Sequence, residues 1–286
     1  MNMKKIYFIM LAMIALVFNA CQTNEITFPM SELDTEAYSE VRLINAIPVS
    51  GASDTLLLNG KNYSSVSTVL GSYYPASTPK YFAVPIGAAT ISLRFLAKTT
   101  TPTVAAFNYA GNMTLVKGKW SAYIHDSTKD PIMLQDADAV PATDAWNDTV
   151  CFIKFANFFY KADGVTPFGK VTLKAKRNVT GAAWETVATD IEFGTQTANY
   201  YLYKLKNVLN AKPWSGIEAN ITFAIFDSAG TQYQQFTSAT TSTKAAYSST
   251  SWSLGKGRAY VIYLNGKEGT TNNKDQFIRL GSFNPL

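Results

Sequence analysis

The sequence predicts an all-β protein built from antiparallel β-sandwiches, and three observations predict it. Apolar and polar residues alternate in several short segments, such as Thr90 to Phe95 and Lys170 to Lys176, which is typical of strands with one buried face. Turn-forming residues recur between these segments. Aromatic residues make up 13% of the chain and charged residues only 16%, against about a quarter in an average domain. This balance is typical of sheets with many half-buried faces.

The first twenty residues predict a signal peptide. Lys4 and Lys5 form a positively charged start, Ile6 to Phe18 are without charge, and Ala20 precedes Cys21. The uncharged run has 13 residues, whereas a membrane-spanning helix needs about 20, so a cleaved leader is favoured over a retained span. The cleavage region resembles that of bacterial lipoproteins, which predicts acylation of the Cys21 thiol and a durable membrane attachment. Ordinary secretory cleavage, with Cys21 incidental, is the alternative.

Residues 21–40 predict a lipidated cysteine followed by a polar tether. The segment is rich in acidic residues and has only scattered apolar ones. Glu25 lies close to Cys21, an arrangement that resembles the signal for export to the outer face of the outer membrane in some Gram-negative bacteria. The predicted location is therefore the cell envelope, with the chain lipid-anchored at the outer membrane and exposed at the surface.

Two related sandwiches are predicted after the tether, at residues 41–140 and 149–286. Val41 to Ala46 is similar to Phe152 to Asn157 as an opening strand, and Leu115 to Trp120 is similar to Leu254 to Arg258 as a glycine turn before a late strand. Residues Asp136 to Asp148 carry several aspartates without apolar periodicity, which favours a linker. The second sandwich is predicted to be longer because of an insertion.

Turns are predicted wherever glycine, asparagine, aspartate or proline interrupts the alternation. The predicted turns are Asn59-Gly60, Pro85 with Gly87, Lys117-Gly118, Asp163-Gly164, Gly230 and Asn265-Gly266.

Several of these strands and turns together resemble a known family. They are Val41 to Pro48, Asp54 to Gly60, Val84 to Gly87 before the strand Thr90 to Phe95, and the turn Lys117 to Lys119 before Trp120 to Ile124. Over about residues 41–135 this series resembles the bacterial surface family called domain of unknown function 4397, and the second half resembles it at its ends. The resemblance implies a tandem β-sandwich of immunoglobulin-like character, common in lipoproteins and without an established activity.

The net charge and the number of cysteines argue against some kinds of partner and of covalent bond. The formal net charge of +5 falls to about +3 without Lys4 and Lys5 and is not concentrated in any run. Nucleic acid is therefore an unfavoured partner. If Cys21 carries lipid, Cys151 has no partner for an internal disulfide. Its apolar neighbours predict a buried thiol.

No group of residues in the sequence indicates a catalytic site, a cofactor site or a metal site. His125 beside Asp126 is interpreted as a surface histidine next to a carboxylate, and common hydrolase and nucleotide-binding motifs are absent from the sequence. A glycosidase needs a pair of carboxylates, and the candidates are Glu185, Asp190, Glu192 and Glu218, but solvated strand faces are favoured. The aspartates of the predicted linker could bind calcium, but solvated charge is favoured there too. The sequence therefore predicts a non-enzymatic protein without a metal.

Aromatic side chains in predicted loops are the best candidates for ligand binding, because a flat ring can stack on a sugar or a partner surface. These candidates are Tyr73, Tyr74, Trp146 and Trp214. The alternative is that they cap the open ends of the sandwiches. Trp120 and Trp184, at the starts of predicted strands, are assigned to the cores.

Four short motifs resemble the Asp-Ser/Thr acceptor of an O-glycosylation system that modifies exported proteins of certain Gram-negative bacteria. Their acceptor residues are Thr55, Ser127, Thr149 and Ser228.

The sequence thus favours a cell-surface lipoprotein that acts in adhesion, scaffolding or assembly. One alternative is a glycan-binding lipoprotein that captures oligosaccharide for an outer-membrane transporter. Another is a fimbrial-type subunit. The expected partners are the membrane, through the lipid anchor, and an envelope protein or glycan.

Overall fold

The computed structural model describes eleven stretches of the chain, all between residues 37 and 283. They are residues 37–48, 50–65, 73–75, 81–99, 103–136, 150–177, 179–206, 217–236, 244–246, 252–268 and 279–283. The chain divides into two compact units, Met1–Thr35 and Glu36–Leu286, and all described residues belong to the second. These stretches contain twenty strands and no α-helix, so the predicted all-β class is confirmed. Within them, no helix has the length and apolar character needed to cross a membrane.

The first nine strands form two sheets, which together make the first sandwich. The first inner sheet has the order β4-β1-β8-β9, with β5 also paired to β1, and the first outer sheet has the order β3-β2-β6-β7. The strands are β1 (Tyr38–Asn45), β2 (Ser53–Leu58), β3 (Lys61–Ser65), β4 (Tyr73–Tyr74), β5 (Phe82–Pro85), β6 (Gly87–Phe95), β7 (Phe107–Leu115), β8 (Lys119–Ile124) and β9 (Ile132–Asp136).

The remaining strands form the second sandwich and one separate hairpin. The second inner sheet has the order β13-β10-β19-β20, with β14 also paired to β10, and the second outer sheet has the order β12-β11-β15-β18. The strands are β10 (Val150–Tyr160), β11 (Val171–Arg177), β12 (Glu185–Ile191), β13 (Thr195–Gln196), β14 (Tyr201–Lys204), β15 (Ile217–Asp227), β16 (Gln234–Phe236), β17 (Lys244–Ala246), β18 (Trp252–Gly255), β19 (Ala259–Lys267) and β20 (Arg279–Phe283).

The two sandwiches have the same strand topology. Each strand of the first has a counterpart at the same place in the second, and the hairpin of β16 and β17 is the added element. Most strand pairs are antiparallel, as predicted. Each inner sheet also contains one parallel pair, β1 with β8 and β10 with β19. The parallel pairs were not predicted, because the chain leaves the inner sheet for the outer sheet between these strands and alternation does not reveal relative direction.

The internal similarity is real, but its register differs by one residue from the predicted alignment. Arg42 on β1 pairs with Ser121 on β8, and Lys154 on β10 pairs with Val261 on β19. The arginine and the lysine are both buried charged residues in otherwise apolar strands. Val41 therefore corresponds to Ile153, and not to the predicted Phe152.

Most predicted turns separate strands, with one exception. Asn59 and Gly60 have positive φ angles of 49° and 74° and connect β2 to β3, as expected for a tight hairpin. Asn265-Gly266 was predicted as a turn, but both residues lie within β19, and Gly266 pairs with Phe159 on β10. The prediction was wrong because glycine can also occupy a strand where another backbone lies close. At the start of the first sandwich, β1 begins at Tyr38, inside the predicted tether.

Each sandwich has its own apolar core, and a third apolar cluster lies between the two inner sheets. This shared cluster joins Ile44 and Tyr123 of the first sandwich to Phe158 and Tyr263 of the second. All eleven residues of β10 are buried, because one face of the strand packs in its own sandwich and the other packs against the first sandwich. The described strands therefore form four layers, with the two inner sheets packed face to face.

The two inner sheets pack with β8 and β10 running in the same direction. Tyr123 on β8 stacks on Phe158 of β10, with ring centroids 4.1 Å apart. Two residues after Tyr123 and two residues after Phe158, the His125 Nδ1 and the Tyr160 hydroxyl lie 2.9 Å apart. The end of the first sandwich where β8 begins and the end of the second where β10 begins therefore face the same way.

Candidate functional site

The interface between the inner sheets contains buried charged residues that the sequence predictions missed. Arg42 from β1 is 0% exposed, Lys154 from β10 is 7% exposed, and Asp136 from β9 is 1% exposed. Burying a charge is costly unless it is paired or hydrogen-bonded. These three side chains, with the tyrosines around them, are therefore the candidate site, called here the interface cluster.

Asp136 accepts two hydrogen bonds at the centre of the interface cluster. The Ser121 hydroxyl donates to its Oδ2 over 2.7 Å, and the Tyr81 hydroxyl donates to the same oxygen over 3.0 Å. Burial raises the pKa of Asp136 to about 6, although the two hydrogen bonds and the charges of Arg42 and Lys154 act in the opposite direction. The predictions placed Asp136 in a solvated linker. That was wrong, because the residue ends β9 and its side chain turns inward.

The two cations of the interface cluster lie against aromatic rings. The Arg42 guanidinium carbon is 4.9 Å from the ring centroid of Tyr73 and 4.6 Å from that of Tyr81. On the other side, the Lys154 Nζ lies 5.2 Å from the ring centroid of Tyr200. Desolvation lowers the pKa of both cations, and the negative charge of Asp136 partly offsets that effect. Cation–π contacts stabilise cations most where water is excluded.

The interface is approximately symmetric. Tyr123 and Tyr263 occupy equivalent positions on β8 and β19, and their rings meet each other edge-on with centroids 6.1 Å apart. Arg42 and Lys154 are likewise equivalent on β1 and β10. Contact between equivalent residues is the property of an interface about a twofold axis. The two similar sandwiches therefore pack as a pseudo-dimer within one chain.

His125 and Tyr160 form a second polar contact across the interface. The Tyr160 hydroxyl donates to the His125 carbonyl oxygen over 2.9 Å and lies 2.9 Å from His125 Nδ1. Because the hydroxyl has a single proton, it accepts from Nδ1, so the imidazole carries its proton there. His125 is only 8% exposed, and burial lowers its pKa. The interpretation as a surface histidine was therefore wrong, since the second sandwich covers it.

The predicted ligand-binding aromatics have different positions. Tyr73 and Tyr74 form β4 and are partly buried. The Tyr73 ring lies on Arg42, and the Tyr74 ring contacts Phe82 with centroids 5.8 Å apart. Both rings thus have partners within the protein. Trp146 and Trp214 lie outside the described residues, and glycan binding by these four side chains stays a prediction.

The predicted glycosylation and acylation sites lie in different parts of the chain. Thr55 lies on β2 and is partly buried, whereas Ser127 and Ser228 are exposed in turns. Cys21 and Thr149 are outside the described residues, so acylation and glycosylation stay predictions. Cys151 is fully buried, as its apolar neighbours predicted.

The carboxylates considered for glycosidase chemistry have ordinary structural partners. Glu185 pairs with Arg177, with 3.4 Å between the charged atoms, and accepts a hydrogen bond from the Tyr201 hydroxyl. Glu192 pairs with Lys170 over 3.2 Å. Within the described stretches, no group of three or more histidine, cysteine, aspartate or glutamate side chains is arranged to hold a metal ion.

A signal for the interface cluster is present in the sequence. Arg42 and Lys154 each interrupt an apolar run at the opening strand of a repeat. Apolar residues at consecutive positions around each charge, such as Leu43 and Ile44 after Arg42, indicate that both faces of the strand are covered. Asp136 gives no such signal, because its neighbours in sequence are polar.

No family model matches the chain, and no curated protein matches it. Among solved structures, the chain is similar to the tip fimbrial protein Mfa3 from Porphyromonas gingivalis with C-terminal truncation, at 10% sequence identity and a TM-score of 0.20. The alignment covers 87% of this chain and 99% of that chain. A likeness of this size carries no argument about function.

Proposed function

We propose that this chain is a lipid-anchored protein of the bacterial surface that acts by non-enzymatic interaction, in adhesion, scaffolding or assembly. The observation that carries the proposal is the buried interface between the two sandwiches. Its apolar cluster and charged side chains couple the inner sheets over several strands. A partner held by one sandwich therefore transmits load to the other, which suits a module that links a membrane anchor to something outside the cell.

The anchor is tested by metabolic labelling with a fatty-acid analogue. The wild-type chain is expected to be labelled and to fractionate with the envelope, whereas Cys21→Ala is expected to be unlabelled. An unlabelled wild-type chain would overturn the proposed attachment. Protease shaving of intact cells then reports whether the sandwiches face outward.

The interaction role is tested by deletion of the gene and by crosslinking on intact cells. Deletion is expected to reduce surface adherence or to change which envelope proteins co-purify. Crosslinking should capture the same partners with the wild-type chain and fail with a chain that lacks the anchor. If neither adherence nor the set of partners changes, the proposal is wrong.

The two alternatives make different predictions. A glycan-capturing lipoprotein would be retarded in affinity electrophoresis through at least one polysaccharide, and replacement of Tyr73 or Tyr74 would remove the retardation. A fimbrial-type subunit would complete a sheet edge of the next subunit with one of its own strands, so purified chains would form linear oligomers. The surface-module proposal expects neither result.

A further inference from the structure

Three large apolar side chains are exposed together at one end of the first sandwich. They are Tyr38 (37% exposed), Ile86 (38%) and Val116 (59%). The Ile86 N–H donates to the Ala37 carbonyl over 3.0 Å, and the residues that follow Ile86 and precede Val116 pair with each other across β6 and β7. The three side chains are therefore neighbours, and we call them the apolar rim.

The apolar rim lies where the chain enters the first sandwich, since β1 begins at Tyr38. Exposed lysines accompany it: Lys117 follows Val116 directly, and Lys61 follows the turn between β2 and β3. Lys119 pairs with Glu40 nearby, over 3.6 Å. An aromatic ring, branched aliphatic side chains and lysines together are typical of surfaces at a lipid–water boundary.

We propose that the apolar rim docks on the bilayer to which Cys21 is attached, with the lysines at lipid phosphates; this inference rests on the proposed lipid anchor. Fifteen residues lie between Cys21 and Ala37, which makes sixteen steps along the chain (37 − 21 = 16), so the fully extended tether spans about 55 Å. An attachment of this length keeps the rim at a high local concentration near the membrane. A surface of three side chains then suffices to orient the body, although it would be too weak to bind alone.

The opposite end of the molecule offers a matched control position. Val165 is 70% exposed and lies in the connection between β10 and β11. Because β10 runs in the same direction as β8, and β8 begins beside the rim, the end of β10 lies away from the rim. A label at Val165 therefore has similar exposure without the proposed lipid contact.

The test uses the full acylated chain in vesicles of phosphatidylethanolamine and phosphatidylglycerol. Val116→Cys and Val165→Cys are each spin-labelled, and Cys151 is fully buried and shielded from the reagent. Collision with oxygen, which concentrates in lipid, is compared with collision with a water-soluble nickel chelate. The label at position 116 is expected to collide several-fold more with oxygen and several-fold less with nickel than the label at position 165. Adding Tyr38→Ser and Ile86→Ser should shift the position-116 label toward water.

Two results would overturn the inference. Equal access of the nickel chelate to both labels would mean that the rim stays in water. Protection of position 116 from both reagents would mean that a protein segment, such as the tether itself, covers the rim. Mass spectrometry of the amino-terminal peptide separates the two proposals. If the chain is acylated but the apolar rim stays in water, only the docking is refuted. If the chain carries no acyl group, both proposals are refuted.

Discussion

Asp136 gives the interface a specific pH dependence. Burial raises its pKa to about 6 from 3.8, so the folded chain holds this proton more tightly than the unfolded chain does. The corresponding stability is fully present below the unfolded pKa and is lost as the pH rises through the folded pKa. Two pKa units correspond to about 3 kcal/mol.

Asp136→Asn should remove that dependence, because an amide does not titrate. The wild-type free energy of unfolding is expected to fall relative to that of the variant by about 3 kcal/mol between about pH 4 and pH 7. Urea unfolding of both proteins at several pH values measures the difference. His125 is present in both proteins, and its effect, which lowers stability as the pH falls, largely cancels. Parallel profiles would contradict the assignment.

Tyr160→Phe tests the contact between His125 and the second sandwich. The substitution leaves the His125 Nδ1–H and carbonyl without the hydroxyl that satisfies both, and the expected cost is about 1–3 kcal/mol. Tyr109→Phe is the matched control, because the Tyr109 hydroxyl is buried without a hydrogen-bond partner among the described residues. That variant should be neutral or more stable. Thermal unfolding measures the stability of the two variants. Equal losses of stability would mean that the contact between His125 and Tyr160 contributes nothing.

Among the strands, β1 and β10 share one local hydrogen-bonding arrangement, formed by an asparagine. Asn45 and Asn157 each accept a hydrogen bond from the backbone N–H two residues further on. Asn157 also donates to the carbonyls of Gly169 and Ile191 and so connects β10 to the outer sheet. The Asn45 amide donates over a longer 3.3 Å to Ser50. Asn157 therefore connects β10 to the outer sheet, whereas the Asn45–Ser50 bond stays within the connection that follows β1.

Asn157→Ala should consequently destabilise the chain more than Asn45→Ala. Three backbone groups, one buried and two partly buried, lose their partner in the first case, for an expected cost of about 2–4 kcal/mol, against about 1–2 kcal/mol in the second. Denaturant unfolding of both variants measures the ranking. A larger loss for Asn45→Ala would show that the bonds to the outer sheet contribute little.

Alternation in sequence predicts strands well where one face meets a core and the other meets water, as in β6 and β11. It fails for β10, where all positions are buried and no alternation remains. The same cause explains His125 and Asp136: each looks solvated from its neighbours, but the packing of a second sandwich buries both. Contacts between distant parts of the chain leave only a weak local pattern, present at Arg42 and Lys154 but not at Asp136, which is why the interface cluster was not predicted.

At the scale of the whole molecule, the packed inner sheets should make the two sandwiches unfold together. The fully buried Phe158 ring stacks on Tyr123 across the interface, and its loss by Phe158→Ala is expected to cost about 3–5 kcal/mol. Because this energy couples the sandwiches, the variant should unfold in two separate transitions where the wild-type chain unfolds in one.

Phe155→Ala provides the comparison for that experiment. Phe155 is equally buried, but it belongs to the core of the second sandwich alone. Its loss should lower the unfolding temperature to a similar extent, since a similar ring is removed, while the interface stays intact. Differential scanning calorimetry distinguishes the two effects through the ratio of calorimetric to van't Hoff enthalpy. That ratio should rise for Phe158→Ala and stay near the wild-type value for Phe155→Ala, and the opposite ranking would place the coupling of the sandwiches outside the interface.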